Sequence, residues 1–520
     1  MVRLADSSRA ALDAGGVLAG TIPGFVPRAS QQQLTAAIAQ AMEQRDVLLA
    51  EAGTGTGKTF AYLVPVLLSG MKTIISTGTK ALQDQLYHRD LPRVRDALGI
   101  GLSTALLKGR ANYLCKYRLE HSKGESQLVK GMFGSREQVS HFQRIVAWSG
   151  RTRMGDLAEL EALPEDSPLL PMVTSTTENC LGSECPYWSE CFVVQARQRA
   201  QSADLVVVNH HLLLADLALK QEGFGEILPG AQVFVVDEAH QLPELASQFF
   251  GEGLGARPLV ELARDALTEC KNVQGALAVL QQPAQQLEHA VRALRAAMDN
   301  LPPRGTQQRA LQALAVREAL DALAMALLHM TESLTALRQA SPGFDACHAR
   351  ARDFTARLGR WLLLGPARDR VDTDAADSGA KGYDEDNDVL SSVSDDVRWY
   401  ELSPRGFRLQ RTPLDVSGPL RTHREQSRAA WIFTSATLAV AGNFDHIALR
   451  LGLDSPTTLL QPSPFDWDTQ ALCYLPPALP EPMSRGYNAA LVEALLPVLQ
   501  ASGGRAFVLF ASHRALRDAA

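Results

Sequence analysis

Val47-Leu48-Leu49-Ala50-Glu51-Ala52-Gly53-Thr54-Gly55-Thr56-Gly57-Lys58-Thr59 runs from four apolar residues straight into a glycine-rich loop that ends in lysine and threonine. Four apolar residues bounded by small ones read as a buried strand, and the loop after it predicts a helix opening at Lys58. Strand, loop and helix in that order are what a nucleotide phosphate site needs. Glycines let backbone N–H groups close around a β-phosphate, a lysine reaches the β- and γ-oxygens, and a hydroxyl completes a Mg²⁺ shell. The candidate ATP-binding residues are therefore Ala52, Gly53, Thr54, Gly55, Thr56, Gly57, Lys58 and Thr59, with Ala52 standing where such loops usually carry glycine. Pro65 lies inside the expected helix and predicts that it is short or kinked near Leu63.

Working outward, Thr73–Ser76, Leu205–Val208, Val233–Val236 and Trp431–Thr434 are further runs rich in valine and isoleucine. Each ends in small or polar residues, as parallel strands do at the ligand edge of a doubly wound sheet, so the fold class is α/β. Val233-Phe234-Val235-Val236-Asp237-Glu238-Ala239-His240 delivers two adjacent carboxylates to that edge. Asp237 is placed to hold Mg²⁺ and Glu238 to orient an attacking water, with His240 one turn on, able to link the nucleotide to a neighbouring element.

Two long stretches interrupt the strands. Residues 106–200 hold four of the seven cysteines and little strand pattern. Residues 245–395 read as helices, because Leu320, Leu323, Leu327, Met330, Leu334 and Leu337, like Leu287, Val291, Leu294 and Met298, recur at spacings of three and four. At 520 residues with 46% apolar content the chain is globular and holds several domains. No apolar run approaches the ~20 residues that span a bilayer, and no signal pattern opens the chain, which predicts a cytoplasmic protein without a membrane partner. The net charge is −6, but ten acids between Asp369 and Asp396 face only Arg370 and Lys381, leaving the remainder near +2. Bulk charge neither supports nor excludes DNA, and the acidic stretch reads as a solvated linker.

An odd number of cysteines without a secretory signal points to thiols or metal ligands rather than disulfides. Cys115, Cys180, Cys185 and Cys191 leave only one tight pair, so spacing alone leaves an iron–sulphur cluster, zinc and free thiols all open. Cys270, Cys347 and Cys473 read as core residues. Lys108, Arg110, Lys116 and Arg118 with Tyr113 and Tyr117 between them suggest a single-strand surface that pairs with phosphates and stacks on bases. Asn209, His210 and His211 follow a strand, and a zinc pair there is disfavoured because adjacent side chains point apart on an extended chain.

The Asp-Glu-Ala-His sequence together with the phosphate loop resembles superfamily 2 helicases, and further stretches narrow the resemblance to the iron–sulphur XPD-type helicases, bacterial DinG and YoaA group. Arg28-Ala29-Ser30-Gln31 stands where that family reads adenine, and a glutamine amide can pair with adenine's donor and acceptor edge. Ile74–Leu86 resembles the family's motif Ia and Thr434-Ser435-Ala436-Thr437-Leu438 its motif III. Gly109-Arg110-Ala111-Asn112-Tyr113-Leu114-Cys115 resembles the context of the first cluster cysteine, which implies a [4Fe-4S] cluster on Cys115, Cys180, Cys185 and Cys191. Asn209 and His210 fall on a stretch that faces DNA in the family. The resemblance implies an ATP hydrolase and DNA helicase of DNA repair or replication, stimulated by single-stranded DNA, acting on forks and moving 5′ to 3′.

The expected organisation is a RecA-like motor domain in three pieces (1–105, 201–245 and 396–460), an iron–sulphur insert at 106–200 and a helical arch with acidic loop at 246–395. The start of a second RecA-like domain is expected at 461–520, with Arg505–Phe510 its first strand. The family's late Q-x-x-G-R-x-x-R motif does not occur, so the expectation is a C-terminally truncated helicase that grips nucleotide and DNA but unwinds poorly or not at all.

Overall fold

A computed structural model of the chain describes residues 3–128, 136–160, 163–164, 167–176, 179–221, 227–363, 396–404, 406–477, 479–482, 484 and 486–520. They form two compact units, Met1–Pro462 and Ser463–Ala520.

Among its described residues the first unit contains eleven strands: β1 (Val47–Ala52), β2 (Thr73–Thr77), β3 (Thr104–Leu106), β4 (Leu205–Asn209), β5 (Val233–Asp237), β6 (Glu252–Gly255), β7 (Arg304–Thr306), β8 (Asp396–Ser403), β9 (Gly406–Pro413), β10 (Ala430–Ser435) and β11 (Thr457–Gln461). Seven make one parallel sheet in the order β11-β1-β10-β5-β2-β4-β3. This is the α/β, RecA-like arrangement the apolar runs predict. Val206, Val208, Phe234 and Val236 join the apolar core on one face, while Leu205, Val207, Val233 and Val235 join the core on the other. Alternate residues thus serve opposite faces, which is why these strands read as unbroken apolar runs. Each such buried side chain contributes about 1.5–3 kcal/mol of transfer free energy. Because all seven strands run the same way, β1, β10 and β5 end side by side at one edge.

The helix after the phosphate loop spans Lys58–Ser69 and passes through Pro65 without ending, so it is not cut short near Leu63. Pro65 cannot donate to the Ala61 carbonyl, and the buried Thr35 hydroxyl donates to it instead at 3.0 Å. A hydroxyl from the neighbouring helix Ala29–Gln44 satisfies the acceptor that proline orphans.

A separate core is built by the helices Ala256–Glu269, Ala276–Ala297, Leu314–Thr335 and Pro342–Leu362. The stripe from Leu320 to Leu334 and the one from Leu287 to Met298 are buried in it, with Cys270 and Cys347. An antiparallel sheet in the order β6-β9-β8-β7 packs with these helices through Leu254, Tyr400, Phe407 and Leu409. Residues 396–413 therefore belong with the helical insert, past the boundary at 395, and the short alternating strands were not read in the sequence. The acidic stretch between Asp369 and Asp395 lies outside the described residues.

In the second unit Arg505–Phe510 is not a strand. Phe507 is 99% and Leu509 91% exposed, and no described strand pairs with them; an apolar run becomes a strand only when a neighbour takes its backbone groups. Cys473 is likewise exposed rather than core. Among the described residues no helix is long and apolar enough to cross a membrane.

Candidate functional site

The phosphate loop turns on Gly55 and Gly57, both at positive φ (88° and 82°), conformations that cost glycine nothing. A side chain at Gly57 would also collide with Gln31, whose Nε2 would stand 2.4 Å from the added carbon. Gln31 Nε2 instead donates to the Gly57 carbonyl at 2.9 Å. The loop closes on itself through Thr56 Oγ1 and the Gly53 carbonyl at 2.7 Å, and Lys58 Nζ rests on the Ala52 carbonyl at 3.3 Å. Gln31 is buried and its Oε1 has no partner, leaving an acceptor beside the loop that an exocyclic amine satisfies. Arg28 stands at the start of the same helix.

Across the edge, Asp237 uses both carboxylate oxygens: Oδ1 accepts from the Glu238 N–H at 3.0 Å and Oδ2 from Tyr62 Oη at 3.1 Å. Burial first, and the Glu238 charge second, raise its pKa to about 6, while Lys58 and the hydrogen bond from Tyr62 pull it back down. A cation in this position would remove the penalty that burial imposes on the carboxylate.

Glu238 adopts left-handed backbone, φ 57° and ψ 43°, which costs a residue with a side chain about 1–3 kcal/mol. Ser435 Oγ, at the end of β10, donates to Glu238 Oε2 at 3.0 Å and lies 2.8 Å from His240 Nδ1. The hydroxyl has one proton, so giving it to Glu238 makes His240 the donor through Nδ1. Beside them Glu51 Oε2 accepts from the Leu438 and Ala439 N–H groups, each at 2.6 Å. The residues 434–438 are thereby tied both to the carboxylate pair and to the phosphate-loop strand. Sequence reasoning missed Glu51 and Tyr62, though their places just before the loop and one turn after Lys58 were open to inspection.

The DNA-contact candidates fare differently. Lys108, with a side chain 4% exposed, bridges Asp84 at 2.8 Å and Asp156 at 2.9 Å. Tyr113 is buried and its Oη accepts from the Lys108 N–H at 3.1 Å. Asn209 Oδ1 accepts from the Leu212 N–H at 2.9 Å, opening the helix that follows β4. His210 is wholly buried with Nδ1 2.7 Å from Ser76 Oγ, and burial lowers its pKa to about 4, so it is neutral. All four side chains lie in the interior of this structure, Lys108, Tyr113 and Asn209 paired as above and His210 with its Nε2 buried without a hydrogen-bond partner. Arg110 keeps partial exposure. Lys116 and Arg118 pair with Glu190 and Asp265, and Tyr117 donates to Glu269 at 3.3 Å.

Exposed basic groups gather elsewhere. A cavity of about 1570 Å³ opens between residues 117–181 and the helical insert, lined by eight basic side chains against four acidic ones, with Lys80, Arg257, Arg264, Arg292 and Arg408 among the basic set. Their wide separation in the chain, from 80 to 408, hides this cluster from a linear reading.

Cys115, Cys180, Cys185 and Cys191 are all partly buried. They share one neighbourhood: Cys115 is perturbed by the charges of Cys180 and Cys185, and Cys185 by those of Cys180 and Cys191. Burial foremost holds the Cys115 and Cys185 thiols above their ordinary pKa, and Arg118 opposes this at Cys115. Arg197 faces Cys180 and Cys191. Among the described residues no three His, Cys, Asp or Glu side chains close on a single ion. One tetrahedral zinc draws its sulfurs to about 2.3 Å from a common centre, whereas a four-iron cluster spreads four thiolates over separate irons. Four thiols with Arg118 and Arg197 beside them are a donor set that a four-thiolate metal centre uses.

A DEAD/DEAH box helicase model matches residues 30–144. The chain is 40% identical to a protein named ATP-dependent DNA helicase YoaA from Haemophilus influenzae, over 97% of this chain and 74% of that one. It is 42% identical to ATP-dependent DNA helicase YoaA from Escherichia coli, over 97% of this chain and 74% of that one. The ATP-dependent helicase DinG of Mycobacterium tuberculosis is 32% identical over 95% of this chain and 73% of its own length.

Proposed function

The chain belongs to the YoaA and DinG family of ATP-dependent DNA helicases, and on that premise we propose that it couples ATP hydrolysis to movement along single-stranded DNA at forks, 5′ to 3′, in cytoplasmic DNA repair or replication. The observation that carries the proposal is the common edge of β1, β10 and β5, where the phosphate loop, Ser435 and the Asp237–Glu238 pair meet. Gly53 to Thr59 cradle the phosphates, with Ala52 leading into the loop, and Lys58 neutralises the β- and γ-oxygens. Thr59 and Asp237 hold Mg²⁺, which supplies charge stabilisation at the transferring phosphoryl group. Glu238 orients the water. The Ser435 bridge lets His240 and Glu238 report the state of the nucleotide to residues 434–438. Gln31, through its unpartnered Oε1, and Arg28 receive the adenine.

The residues of 106–200 carry a [4Fe-4S] cluster on Cys115, Cys180, Cys185 and Cys191, and the cluster cross-links a stretch that also packs Leu119, Phe142, Ile145, Trp148 and Phe192 into the apolar core. The single strand lies in the basic cavity between this insert and the helical arch, where phosphates meet Lys80 and the arginines. Arg110 stays as a peripheral contact.

The test is ATP hydrolysis measured with and without single-stranded DNA. The proposal expects stimulation by DNA, and a loss of about 10²- to 10⁴-fold in Glu238→Gln. Hydrolysis indifferent both to DNA and to Glu238→Gln would reject it.

A further inference from the structure

Ala61 to Leu67 on the phosphate-loop helix are all buried, and Tyr62 is the one member of that run with a hydroxyl. It is 1% exposed and packs in an apolar core with Leu34, Ile38, Ile75 and Val235. Phenylalanine would fill the same space without the cost of burying a hydroxyl, so the oxygen needs a reason. Its surroundings supply one. The phenol oxygen donates to Asp237 Oδ2 at 3.1 Å. Thr59 and Tyr62, three residues apart, lie on one helical face, so the ring that holds Asp237 stands on the same face as the Thr59 hydroxyl.

We propose that Tyr62 is a positioning residue for Mg²⁺: its hydroxyl holds the Asp237 carboxylate from the helical face that carries Thr59, fixing before metal arrives the orientation of an oxygen that Mg²⁺ needs in its octahedral shell. The inference rests on the reading of Thr59 and Asp237 as Mg²⁺ ligands. Tyr62 itself touches neither metal nor nucleotide. The hydrogen bond to Oδ2 sets the rotation of the carboxylate while Glu238 N–H holds Oδ1, so the plane of Asp237 is determined from both oxygens. Groups that orient a metal's ligands in this way typically alter affinity by about 10- to 100-fold when removed.

The experiment is a Mg²⁺ titration of the binding of a fluorescent, non-hydrolysable ATP analogue to the full chain, run in wild type, Tyr62→Phe and Asp237→Asn, with a parallel arm in EDTA. Tyr62→Phe is expected to raise the Mg²⁺ midpoint by about 10- to 100-fold and to leave binding in EDTA unchanged. A Tyr62→Phe midpoint within twofold of wild type, with Asp237→Asn shifted, overturns the inference alone. If Asp237→Asn does not move the midpoint either, the metal reading and the inference fall together. If Tyr62→Phe weakens binding equally with and without Mg²⁺, or does not fold by thermal melt, the phenol is structural and the inference is wrong.

Discussion

In the parallel sheet every residue of β2 and β4 is buried, and the chain's own apolar side chains cover both faces. The stretch between β3 and β4 runs through short helices and single turns, with four cysteines partly exposed and a lysine locked between two aspartates. The sheet is stabilised by area removed from water, which is distributed and forgiving. The stretch with the cysteines shares that apolar core through Leu119, Phe142, Ile145, Trp148 and Phe192, and adds polar and thiol contacts that are each concentrated in one or two residues. Loss of a thiol or of the Lys108 cation should therefore be felt locally and heavily in the second region, while the first is vulnerable at the groups it buries.

The largest expected effect separates the two regions outright. Cys115→Ser should strip iron from anaerobically purified protein and open residues 106–200 to limited proteolysis, while ATP binding by the sheet persists. Iron retained in the variant, or colourless zinc-loaded wild type, would break the comparison. Next comes Lys108→Met, which leaves Asp84 and Asp156 facing each other without their cation. Removing one partner of a buried pair costs about 3–5 kcal/mol, and the solvent still reaching both carboxylates puts the loss near about 3 kcal/mol by urea unfolding.

Close behind is a pH effect in the sheet core. His423 is buried against Phe234 and Trp431, and burial lowers its pKa to about 4. A base whose pKa is depressed on folding stabilises the fold fully above its unfolded value near 6.5 and progressively less as pH falls toward 4. The loss is about 3 kcal/mol per such histidine. Urea midpoints at pH 7 and pH 4.5 should differ less in His423→Phe than in wild type; an unchanged difference would assign the slope to other groups. The smallest effect is Lys116→Ala. Its ion pair with Glu190 measures 2.6 Å, but the glutamate is 62% exposed, so less than about 1 kcal/mol is expected.

The same contrast explains what could be read in advance. The phosphate loop and the Asp237–Glu238 pair are contiguous, and their strands carry an apolar signature that survives in one dimension, so the sheet and its ligand edge were legible. β8 and β9 escaped because a few buried residues such as Tyr400 and Leu409 alternate with half-buried or exposed arginines such as Arg398 and Arg408, a pattern that looks like loop. The burial of Lys108, Tyr113 and His210 was not legible for a physical reason: basic and aromatic residues serve equally well as surface contacts and as buried partners, and Asp84, Asp156 and Ser76 reach them from elsewhere in the chain. Tyr62 stands in plain sight one turn after Lys58, but its role was hidden for the same cause, since its partner Asp237 lies 175 residues away.

The central claim is that Lys58, Thr59, Asp237 and Glu238 converge on one magnesium nucleotide at the common edge of β1 and β5. A crystal structure with Mg²⁺ and a non-hydrolysable ATP analogue measures this directly. The account predicts a metal bound at Thr59 Oγ1 and Asp237, Lys58 Nζ on the β- and γ-phosphates, and Glu238 on a water in line with the γ-phosphate. A nucleotide bound away from the loop, or a metal that Asp237 does not reach, would contradict it.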